Sequence, residues 1–69
     1  MTSRDLEAIV RSVIVDRGLP FDLVAVASSP PVWEIRVRHK TGGIVSVTVP
    51  DGRPVAVRTA IQEYLEAAI

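Results

Sequence analysis

Between Trp33 and Lys40 the chain alternates strictly, with Trp33, Ile35, Val37 and His39 on one parity and Glu34, Arg36, Arg38 and Lys40 on the other. Successive side chains of a strand point to opposite faces, so this octet predicts a strand with one face in a core and one in water. A sheet built around such a strand can be covered on one side only. The rest of the chain must therefore supply neighbouring strands and a single covering layer.

The cover comes from two amphipathic segments. Residues 3–17 carry Leu6, Ile9, Val10, Val13 and Ile14 at helical spacing, one apolar stripe. Thr2 and Asp5 fit a capping box at its start, and Gly18 followed by Leu19-Pro20 fits its stop, since Gly accepts the left-handed conformation and Pro cannot continue a helix. Residues 54–68 place Val57, Ile61, Tyr64, Leu65 and Ala68 on one face, with Pro54 suited to the first turn. A competing reading takes Asp51-Gly52 as a hairpin turn into a fourth strand at residues 55–57; Pro50 and Pro54 oppose it by removing ladder donors.

Two further strands complete the pattern. Residues 21–28 form a short apolar run closed by Ser28-Ser29-Pro30-Pro31, and their periodicity leaves the inward face ambiguous. Thr41-Gly42-Gly43 reads as a hairpin connection, because glycine supplies the positive φ that tight turns need. Beyond it Val45, Val47 and Val49 read as inward, with Ser46 and Thr48 outward. The expected fold is α+β, one domain over residues 1–69: a two-layer α-β-β-β-α sandwich, its three-stranded antiparallel sheet carrying both helices on one face.

Size and composition narrow the function. At 69 residues the core is thin and a deep, water-excluding active site is not expected. There is no cysteine and one histidine, which excludes a disulfide framework, a thiolate metal site and a cysteine nucleophile. No apolar run has the roughly 18–20 residues of a membrane span, and the N-terminal residues do not resemble a signal peptide. A cytoplasmic domain without cofactor or metal is the expectation.

Eight basic residues balance eight acidic ones, but unevenly: residues 33–58 hold five basic and two acidic side chains, a net +3. The candidate anion-binding or nucleic-acid-binding residues lie there. Arg36, Arg38 and Lys40 are expected on the open sheet face, and Arg53 and Arg58 near the start of the second helix, where free N–H groups and the helix dipole also favour an anion. Asp51 is near enough in sequence to pair with either arginine. His39 has only Ser46 and Thr48 in the hairpin as potential hydroxyl partners. Trp33, Phe21 and Tyr64 read as core residues, leaving no exposed aromatics for base stacking. Outward Val32 and Ile44 would make an apolar patch.

The helix, three strands and helix, with Ser28-Ser29-Pro30-Pro31 before one strand and a Gly-Gly turn before the next, resemble the double-stranded RNA-binding domain. In that family the first strand connection holds a proline and then a groove-entering His, and a lysine-rich start of the last helix grips phosphates. Here Pro30-Pro31 matches the proline, Val32 and Trp33 stand at the His neighbourhood, and Arg53 and Arg58 stand in for the lysines. Thr48-Val49-Pro50 leading to Arg58-Thr59-Ala60-Ile61 is similar to the third strand and closing helix of HicA-type toxins. Their ribonuclease His lies near the start of the second strand, whereas His39 lies at its far end. The expectations are a non-enzymatic module contacting RNA or DNA, a protein-interaction or homodimerising domain without nucleic acid, or a diverged ribonuclease of the HicA type.

Overall fold

A computed structural model describes residues 1–69. The elements are α1 (Ser3–Arg17), β1 (Phe21–Ser29), β2 (Val32–His39), β3 (Ile44–Pro50) and α2 (Pro54–Ala67). The α+β sandwich is as expected, and residues 55–57 belong to α2, not to a fourth strand.

Local chemistry sets the helix ends. Thr2 caps α1: its hydroxyl accepts the Asp5 N–H at 3.2 Å while the Asp5 carboxylate accepts the Thr2 N–H at 3.0 Å. Those two bonds satisfy donors that the first turn leaves without helical partners. Gly18 sits at φ 60° and ends the helix in the left-handed region. The start of α2 is different, because Arg53 occupies the capping position and makes no side-chain bond there.

The sheet is antiparallel with order β1-β2-β3, so β2 is central. The β2–β3 hairpin turns on Gly42 and Gly43 at φ 101° and 90°, values that require glycine. β2 runs from Val32 to His39, which places Lys40 just beyond it, in the turn, with its N–H donated to Pro20 O at 3.0 Å.

The ambiguity of β1 has a physical cause. Leu23 pairs with Val37 and Ala25 with Arg36, so Val24 is an extra residue in a bulge. Phe21 and Leu23 face inward before it, and the shift of phase lets Val26 face inward after it. A simple alternation along 21–28 cannot describe such a strand.

One core joins the two layers. Leu6, Val10 and Val13 of α1, Val57, Ile61 and Leu65 of α2, and Trp33, Ile35, Val37, Val47 and Val49 of the sheet are buried together with Leu19 and Phe21. The helices run side by side, α1 against β1 and α2 against β3. Between them Arg58 donates to Ser12 Oγ at 3.0 Å and to Asp16 Oδ2 at 2.7 Å, and Arg17 donates to Glu66 at 2.9 Å. Tyr64 departs from the expected core: it is half exposed, because it stands at the side of the α2 stripe and not at its centre.

Candidate functional site

The five sequence-derived cations do not converge. Arg36 and Arg38 share the open sheet face, opposite Ser46 and Ile44 of β3. Arg36 donates to Glu34 of its own strand at 3.0 Å. Arg58 is tied into the α1–α2 contact just described. Arg38, Lys40 and Arg53 form no ion pair. Arg38 and Lys40 lie at the Ile44 end of β3 whereas Arg53 follows Pro50, a separation along the strand of roughly 20 Å at about 3.4 Å per residue.

Asp51 pairs with neither arginine. Its Oδ1 accepts the Trp33 indole N–H at 3.0 Å and the Gly52 N–H at 2.9 Å. It therefore fixes the one polar atom of a nearly buried tryptophan. His39 also differs from expectation. Its ring meets Phe21 edge to face at 5.3 Å, and Nδ1 accepts the Thr41 N–H at 3.1 Å with the Thr41 hydroxyl at 2.6 Å. Thr41 is thus its hydroxyl partner, while Ser46 and Thr48 belong to the opposite parity of the sheet. No three His, Cys, Asp or Glu side chains gather where they could hold a metal ion, and no helix is long and apolar enough to cross a membrane.

The most distinctive surface is the flank formed by β3 and α2. The ladder bonds from His39 N–H to Gly43 O and from Asp51 N–H to Pro31 O bracket the β2–β3 pairing. Antiparallel alternation then turns the backbone groups of Val45, Val47 and Val49 toward β2 and those of Ile44, Ser46 and Thr48 outward along the free edge. Pro50 takes the next outward position, where its missing N–H leaves no ladder bond unmade. No residue of β3 is charged, and no bulge interrupts it. Charges, bulges and prolines are the devices by which proteins ordinarily blunt an edge, and of these β3 has only Pro50 at its end.

The flank continues upward into α2. Arg58 and Glu66 mark the side of α2 that meets α1, and Val57, Ile61 and Leu65 mark its core side. At 100° per residue the remaining lateral side holds Ala56, Ala60, Tyr64 and Ala67, above the β3 edge. Sequence reasoning missed this side because it counted Tyr64 as core. The Ala56, Ala60, Tyr64 spacing of i, i+4 and i+8 was the available signal.

Comparisons with protein-family models, with curated proteins and with solved structures find no match to this chain.

Proposed function

We propose that this chain is a non-enzymatic protein-interaction module that works through the β3/α2 flank. The observation that carries the reading is the uncharged, unbulged β3 edge lying beside an apolar helix side. An edge of this kind offers unpaired N–H and C=O groups to another chain, with no charge on the strand and no bulge to interrupt the pairing. Of the five cations on which the rival reading, a module contacting RNA or DNA, draws, Arg36 and Arg58 already have carboxylate partners, which leaves Arg38, Lys40 and Arg53. Three cations at two ends of a chain with no net charge make a weak electrostatic site.

Fluorescence anisotropy with duplex RNA, duplex DNA and single-stranded RNA at low salt tests this choice. The expected result is no saturable binding. Binding that weakens steeply with salt and is lost in the Arg38→Ala, Arg53→Ala double variant would overturn the interaction reading in favour of a polyanion.

A further inference from the structure

No further inference is drawn: the strongest candidate, the open face of the sheet, where Asp22 and Glu34 stand beside Arg36 and Arg38 among the small side chains of β1 and β3, carries nothing because its acids and bases balance and nothing in the structure shows what covers it.

Discussion

The two flanks of this sandwich are built from the same parts, an edge strand under a helix, yet they present opposite surfaces. On one side β1 is bulged at Val24 and carries Asp22, and the outer side of α1 brings Arg11 beside it, in a shallow hollow with Phe21 and Leu23. On the other side β3 is smooth and uncharged, and α2 adds alanines and Tyr64. The difference separates burial from display. Both edge strands contribute buried residues to one core, but only the β3 edge is free of charge and of a bulge.

If both flanks hang on one core, large-to-small substitutions should cost the same on either side. Leu6→Ala in α1 and Ile61→Ala in α2 should each lower unfolding free energy by about 2–5 kcal/mol in urea titrations, since both side chains are fully buried. A loss confined to one of them would break the picture of a shared core.

Asp51→Ala probes the β3 side more narrowly. It leaves the Trp33 indole N–H, in a residue only 6% exposed, without its acceptor. A loss of about 1–3 kcal/mol is expected, with a shift in tryptophan fluorescence as a direct readout. Unchanged stability and fluorescence would show that the bond does not position the ring.

The helix starts differ as the flanks do. Thr2→Ala removes the α1 cap and should cost about 0.5–2 kcal/mol, whereas Arg53→Ser should add a few tenths to about 1 kcal/mol by giving α2 the cap it lacks. The Thr2 N–H, and then the Thr2 hydroxyl, hold the Asp5 carboxyl below its ordinary value. A depressed carboxyl stabilises the fold above its unfolded-state pKa and loses that contribution as pH falls below about 4. The acid limb of a stability-against-pH curve should therefore flatten in Asp5→Asn, which removes the titrating carboxyl and leaves the Thr2 N–H in place; an unaltered limb would sever the link between cap and titration.

The smallest effect is expected where the flanks meet. A double-mutant cycle on Arg58 and Asp16 should yield a coupling of about 0.2–1 kcal/mol, since both side chains are more than one-third exposed and water screens the pair. Markedly stronger coupling would mean that the helix layer is held from between the helices more than from the core beneath.

Features set by neighbouring residues were legible in the sequence. The capping box, the Gly18 stop, the Gly42-Gly43 turn and the one-sided alternation of β2 each need only a few adjacent side chains, and each occurs as read. What was illegible depends on pairing across the chain. The phase of β1 is set by its register against β2, the partner of Arg58 lies 42 residues away, and Asp51 is claimed by Trp33, 18 residues back. Tyr64 was misread for a related reason: its position on α2 satisfies helical spacing, but only the location of α1 decides which side of the stripe is covered.

The bulge at Val24 bears on stoichiometry as well as on phase. A sheet with two open, smooth borders can take a strand on each and hand the contact onward, so its assemblies need not end. With β1 interrupted at Val24, β3 is the one regular border of this sheet. Deleting Val24 would keep Leu23 and Val26 facing the core while straightening the border. Its expected consequence is a β1 border as regular as that of β3, read by amide hydrogen exchange as one continuous alternation along residues 21–28.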